Sequence, residues 1–332
     1  MAHEHDEFFG YAADPAGAPP APAPEPWASW PPIDVEGATA VARRSSVDPE
    51  MVMARHLAEG EGEPLVVTDA QRGWRARAEW DLEFLAKKYG DDDVIANDAA
   101  PLFVEDDPPM RTRRVKLREY IAYALGEQDN TLAREAARLR PPEVAAARAN
   151  DEAAAPAAPA AYMHDAAAAP RAAVWYMNSW EPFGQHADMR ASFGFPYFVE
   201  DMLADEAAQS GDPADDADDA EAAEAARSTA NYTKVFVGVP GCTTRLHFDA
   251  QQTHAWLSQV RGRKQFVLYP PSDAEHLRLH GWEHAAGCTR VYDPARPPEP
   301  LAYPGVARLR PRVAILGAGD TLLVPRGWWH YA

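Results

Sequence analysis

Apolar positions recur at helical spacing in a few places along the chain and at strand spacing in many. Leu82, Leu85 and Tyr89 fall three to four residues apart, behind Asp81 and ahead of Gly90. A carboxylate that can accept from the first-turn amides, followed by a glycine stop, predicts a helix over Leu82–Tyr89. Leu117, Ile121 and Leu125 make a second stripe, predicting a helix over Lys116–Leu125 before Gly126. Asp48–Gly60 reads as a short helix and Pro64–Asp69 as a strand ending in a turn. From Tyr232 the period shortens. Lys234–Val239, Leu246–Ala250, Ala255–Val260, Lys264–Tyr269, Val313–Leu316 and Thr321–Val324 are β-rich runs separated by Gly, Pro and Asp. That spacing predicts a sandwich or barrel.

Long unpatterned stretches interrupt this order and suggest its divisions. Residues 1–38 are Ala- and Pro-rich and are expected to form a disordered tail, because they bury too little to offset their ordering entropy. Residues 39–126 form a mixed helical and strand region, and 127–173 an Ala/Pro-rich insertion. Within it, 17 of the 33 residues from Pro141 to Ala173 are Ala, interrupted by Pro156, Pro159 and Pro170 into pieces too short for a stable helix. Residues 174–200 return to core-like composition (Val174-Trp-Tyr-Met, Pro196-Tyr-Phe-Val), 201–228 are an acidic insertion, and 229–332 hold the strand-rich core. No internal repeat is apparent.

Composition narrows the function classes. The 332 residues suffice for one large domain or two small ones, with 46% apolar and 25% charged residues. The formal charge of −19 repels phosphate backbones, so direct nucleic-acid binding is disfavoured, and a basic protein or peptide or a small molecule fits better. Asp201–Glu224 alone carries 10 carboxylates and no Lys or Arg. No apolar run approaches the ~20 residues that cross a bilayer, so no membrane partner is expected. The acidic N-terminus lacks an apolar signal segment, and Cys242 and Cys288 are too few for a disulfide framework. The expectation is a soluble intracellular protein, cytoplasmic and/or nuclear.

Chemistry concentrates in Cys242-Thr-Thr-Arg-Leu-His-Phe-Asp249. On a strand, residues i and i+2 share a face, so His247 and Asp249 project together toward an interior. An imidazole beside a carboxylate packs poorly but begins a divalent metal site. Downstream, Thr321–His330 ends a strand with a third candidate, His330. Two His and one carboxylate form the facial triad of non-haem Fe(II) oxygenases, with positions left open. Taken alone, His-x-Asp also reads as a cap, a surface pair or a satisfied core histidine. The surrounding text adds Gly262-Arg-Lys-Gln-Phe-Val-Leu-Tyr-Pro-Pro271 and Gly317-Ala-Gly-Asp-Thr-Leu-Leu-Val-Pro-Arg-Gly-Trp-Trp-His330.

With these three blocks the chain resembles the JmjC (cupin-like) Fe(II)- and 2-oxoglutarate-dependent oxygenases, and most of all their small hydroxylase branch. The core resemblance spans about 229–332, with a fainter one over 39–126 and 174–200. It implies a mainly β fold, a double-stranded β-helix (jelly-roll) core behind an N-terminal α+β region. It implies Fe(II) held by His247, Asp249 and His330, with 2-oxoglutarate and O2 as cosubstrates. Lys264 would meet the distal carboxylate of 2-oxoglutarate, helped by the Thr244 hydroxyl and the Tyr176 phenol. Hydroxylation of a protein side chain is the implied activity. N-methyl-lysine demethylation, a non-catalytic interaction module and another cupin class stand as alternatives; only a 2-oxoglutarate enzyme needs Lys264.

Other residues carry blander readings. Lys264 also reads as a surface residue after a Gly-Arg turn, and Trp175 and Tyr176 as core aromatics. Trp256, Trp328 and Trp329 are expected to pack around the site. His254, seven residues after His247, points to the opposite face of a continuous strand. His276, His280 and His284 are spaced like a helical metal face but fit a solvated helix. Asp91–Asp93 reads as a solvated turn and Arg111–Arg114 as exposed helix-start decoration. The chain departs from the family pattern at Leu257, where a polar residue is usual. It also stops at Ala332, before a strand that would close the major sheet; the expectation is an incomplete reading frame with an open edge beside the site.

Overall fold

A computed structural model of the protein describes residues 32–57, 60–98, 111–127, 129–138, 174–199, 233–249, 253–277, 294 and 304–332. The tail at 1–31, the Ala-rich stretch Pro141–Ala173, the acidic segment 201–228, and His280, His284 and Cys288 lie outside the described residues. In chain order the strands are β1 (Thr39–Ala40), β2 (Ala42–Arg44), β3 (Leu65–Val67), β4 (Asp93–Asp98), β5 (Thr112–Lys116) and β6 (Trp175–Trp180). They continue as β7 (Val235–Val237), β8 (Ala255–Ser258), β9 (Lys264–Tyr269), β10 (Arg312–Leu316), β11 (Thr321–Val324) and β12 (Trp329–Tyr331).

Three four-stranded sheets result: β1-β10-β9-β12, β2-β3-β11-β8 and β5-β4-β6-β7. The first two pack face to face. Alternation along β9 sends Phe266 and Leu268 inward, where they join Ala314 and Leu316 against Val66, Leu322 and Val324, with Trp328 in the same cluster. The opposite side of β9 presents Val267 and Tyr269 to Leu246, Leu277, Trp329 and Tyr331. The second sheet is likewise covered behind by Val47, Val52, Ala70 and Phe198, so all four residues of β11 are buried. A strand covered on both faces has no use for polar alternation, and Leu-Leu-Val is the consequence. This is the expected mainly β, jelly-roll core. Among the described residues, no helix is long and apolar enough to cross a membrane.

The third sheet is lined on one face by the helices Leu82–Tyr89, Leu117–Ala124 and Thr131–Arg138, whose Leu85, Tyr89, Leu117, Tyr120, Ile121 and Leu132 meet Val94, Ala96, Trp175 and Met177. The predicted cap is present: Phe84 N donates to Asp81 Oδ1 at 2.6 Å. Asp48 caps the helix Pro49–Val52 in the same way, and a π-helical turn, Met53–Leu57, continues it.

Several expectations are corrected. Leu125 is 42% exposed, because its helix ends at Ala124 and Tyr120 takes the inward place. Lys234–Val239 is shorter than predicted and joins the third sheet beside β6. Thr321–His330 is two strands in two sheets, divided at Pro325–Trp328. The described part of Leu246–Ala250 makes no regular strand; its ladder reduces to one bridge, His247 opposite His330. That bridge and the bonds between Thr244 and Ala332 seat the segment along β12. The basic run Arg111–Arg114 leads into β5 instead of a helix, and Arg113 there pairs with Glu135. Asp92 is no solvated turn residue: it accepts from Trp180 Nε1 at 3.1 Å and pairs with His186 at 2.9 Å.

Candidate metal centre

β12 fixes one side of the site. His330 pairs across to Leu268 of β9, with Trp329 and Tyr331 turned to the outer cluster, so the imidazole between them faces inward. His247 N donates to His330 O at 3.1 Å, and His330 N returns a bond to His247 O at 2.7 Å. The exchange brings the two rings to 4.1 Å between centroids. Asp249 follows two residues on. One donor atom from each of His247, Asp249 and His330 lies within 4.8 Å of the others, although the segment is not the strand that the spacing argument assumed.

Two features prepare this cluster for a cation. His247 Nδ1 lies 2.7 Å from Arg245 O and His330 Nδ1 lies 3.1 Å from Trp328 O. A carbonyl only accepts, so each Nδ1 carries the proton and each Nε2 keeps its lone pair for a ligand. Burial, then the neighbouring His247, pushes the His330 imidazole down to about 3, which keeps it neutral. Burial also holds the Asp249 carboxyl above its ordinary range, against the opposing pull of His247. A half-buried carboxylate beside two imidazoles that each direct Nε2 away from a carbonyl-bound Nδ1 is a donor set that a divalent cation completes. The donor set therefore fits Fe(II).

Lys264 begins β9, on the same face as Phe266 and Leu268, and not at the surface after a turn. Its Nζ donates to Tyr176 Oη at 2.8 Å and lies 5.3–5.5 Å from the ring centres of Tyr176, Phe236 and Phe266. Among the described residues no carboxylate pairs with it. His330 sits opposite Leu268, four residues along the strand from Lys264, about 13 Å at strand rise. A lysine side chain and a short dicarboxylate together fill such a gap. Tyr176 is 2% exposed and belongs to this pocket, whereas its neighbour Trp175 faces the helices. Thr244 lies opposite Ala332, three residues before His247.

The remaining candidates fall elsewhere. Trp256 turns to the outer side of the second sheet against Trp74 and Phe195, away from the site, while Leu257 faces the interior. Trp328 packs inside and Trp329 outside, against Phe248. His254 Nδ1 accepts from Arg326 N at 3.0 Å and is no part of the cluster. His276 pairs with Glu275. Sequence reasoning missed Phe236 and Gly238. A glycine inside a strand, here in Val-Gly-Val, was the available signal for a close approach.

The profile of the cupin-like domain matches residues 50–332, most of the chain. The chain belongs to the cupin-like domain family. Within that family it is similar to proteins of the Jumonji C kind. It is 35% identical over 98 residues to Jumonji C domain-containing protein 5 of Drosophila melanogaster, covering 30% of this chain and 23% of that protein. To the 2-oxoglutarate and iron-dependent oxygenase JMJD4 of Gallus gallus it is 30% identical over 104 residues, with the same two shares. To tRNA wybutosine-synthesizing protein 5 of Danio rerio it is 36% identical over 100 residues, 30% of this chain and 28% of the relative. The chain thus spans about a quarter of the length of the curated relatives it matches.

Proposed function

We propose that this cupin-like protein is an Fe(II)- and 2-oxoglutarate-dependent oxygenase that hydroxylates a side chain of a protein substrate. The observation that carries the reading is the convergence of His247, Asp249 and His330, with both Nδ1 atoms tied to backbone carbonyls. Iron held there with 2-oxoglutarate couples O2 reduction and decarboxylation to succinate and CO2 with oxidation of a substrate C–H bond.

The chain's own residues bind, orient and shield. His247 and His330 would present Nε2, and Asp249 one carboxylate oxygen. At the other end Lys264 supplies a positive charge. The Tyr176 oxygen accepts from that ammonium, which leaves the phenol proton to donate outward, so one carboxylate can receive from both groups. Thr244 stands on the neighbouring segment to add a hydroxyl. The buried Phe266 and Trp328 would give apolar walls that keep water from the reacting atoms. The net charge of −19 favours a basic peptide as the substrate.

Adding 2-oxoglutarate to the Fe(II)-loaded protein without O2 is expected to raise a visible charge-transfer band, and admitting O2 to release succinate. A metal-loaded protein that gives neither would contradict the reading.

A further inference from the structure

Gly238 stands at the back of the Lys264 pocket. The register pairs Met177 with Val237, which sets Gly238 beside Tyr176 on the neighbouring strand. A Cβ built on Gly238 would fall 2.3 Å from Cys242 Sγ and 3.2–3.3 Å from Cε2 and Cδ2 of Tyr176. The first distance is far inside van der Waals contact, so a methyl there must turn the sulfur about χ1 or shift the backbone. The missing side chain is thus the space into which the sulfur and the phenol ring close. At the hydroxyl end of that ring the Lys264 ammonium donates to Oη at 2.8 Å, and the Phe236 ring stands 6.5 Å from its centre. Nearby, the Tyr120 hydroxyl donates to Val237 O at 2.6 Å, which anchors the backbone just before Gly238. The sulfur and the ring thus share the space that a side chain at Gly238 would take, while the phenol oxygen is held by the ammonium.

From this we propose that Gly238 is a positioning residue for the cosubstrate pocket: by carrying no side chain it leaves room for both the Cys242 sulfur and the Tyr176 ring, so that the phenol oxygen keeps its place at Lys264. The proposal rests on the oxygenase reading for the identity of the ligand, 2-oxoglutarate, but concerns which residue sets the pocket's shape. Gly238 touches neither cosubstrate nor metal and acts only through Tyr176.

The test measures 2-oxoglutarate affinity by calorimetry on the metal-loaded, O2-free full chain, beside the urea midpoint of each variant. Gly238→Ala is expected to weaken affinity about tenfold or more, the worth of one charge-assisted hydrogen bond. In turnover it raises KM for 2-oxoglutarate more than it lowers kcat. Adding Cys242→Ala removes the sulfur that the new methyl would strike, so the double variant recovers most of the lost affinity, while Cys242→Ala alone binds within about threefold of wild type. Unchanged affinity in Gly238→Ala overturns the proposal. So does a loss that Cys242→Ala fails to relieve, or one matched by a fall in urea midpoint that the double variant shares. If wild type itself binds no 2-oxoglutarate, the oxygenase reading fails instead.

Discussion

The Lys264 ammonium is half-buried, bonded to the Tyr176 phenol oxygen and 5.4–5.5 Å from the Phe266 and Phe236 ring centres, without a carboxylate among the described residues. Each ring contributes about 0.5–1 kcal/mol. Withdrawing an ammonium from water costs several kcal/mol, so the rings narrow the deficit without closing it, and an anionic ligand completes the environment. Cys242 shows the opposite case. Burial pushes its thiol up to about 11, against the opposing effect of Lys264, so the group stays neutral and inert in the fold. A folded-state value above the ordinary 9.0 means the unfolded chain gives up its proton first as pH rises. The contribution to stability is complete below pH 9 and lost toward pH 11. In a Cys288→Ser background, Cys242 is therefore expected to resist a thiol reagent at pH 8 until denaturant is added, and the urea midpoint to fall between pH 9 and 11. Rapid labelling of the native protein would contradict this placement.

At the scale of elements, identical side chains carry unequal weight. Asp81 caps one exposed helix with a single bond to Phe84 N. Asp320, 8% exposed, accepts two bonds from Arg43 at 2.8 Å and one from Gly317 N at 2.7 Å, closing the turn between β10 and β11. Asp81→Ala is expected to cost about 1 kcal/mol. Asp320→Ala removes both bonds from the half-exposed Arg43 guanidinium and leaves the Gly317 amide unpaired, and should cost about 2–3 kcal/mol. Equilibrium urea unfolding of both variants checks the order, and equal losses would refute it. The same scale explains what could be read in advance. The Asp81 helix and β9 were legible because their signals lie within one turn or one alternation. The Leu246–Ala250 run read as a strand, yet its described part is joined to β12 through a single bridge and forms no regular strand. Leu125 misled because the 3–4 spacing continues past the point where the helix stops. Gly238 showed in the sequence only as a glycine between two valines: its constraint comes from Cys242 and from Tyr176, and the latter only the third sheet brings alongside.

Over the whole molecule, two sheets packed face to face bring His247 and Asp249 to His330, more than 80 residues apart along the chain and held on two backbone bonds. The third sheet adds Tyr176 and Phe236 to Lys264 of the first, so the pocket is shared between the jelly roll and the α+β region. The His-x-Asp pair and the distal His were readable as a metal signature, and the fold supplies the closeness that spacing alone left open. The second half of the pocket became visible only once β6 and β7 were seen to pair. The most direct test of the account is the Fe(II) content after anaerobic loading and dialysis of wild type and of His247→Ala, Asp249→Ala and His330→Ala. One ion per wild-type chain is expected, with each substitution weakening affinity beyond the roughly 10–100-fold that loss of an outer hydrogen-bond partner costs. Iron retained equally by all four proteins would place the metal elsewhere and contradict the account.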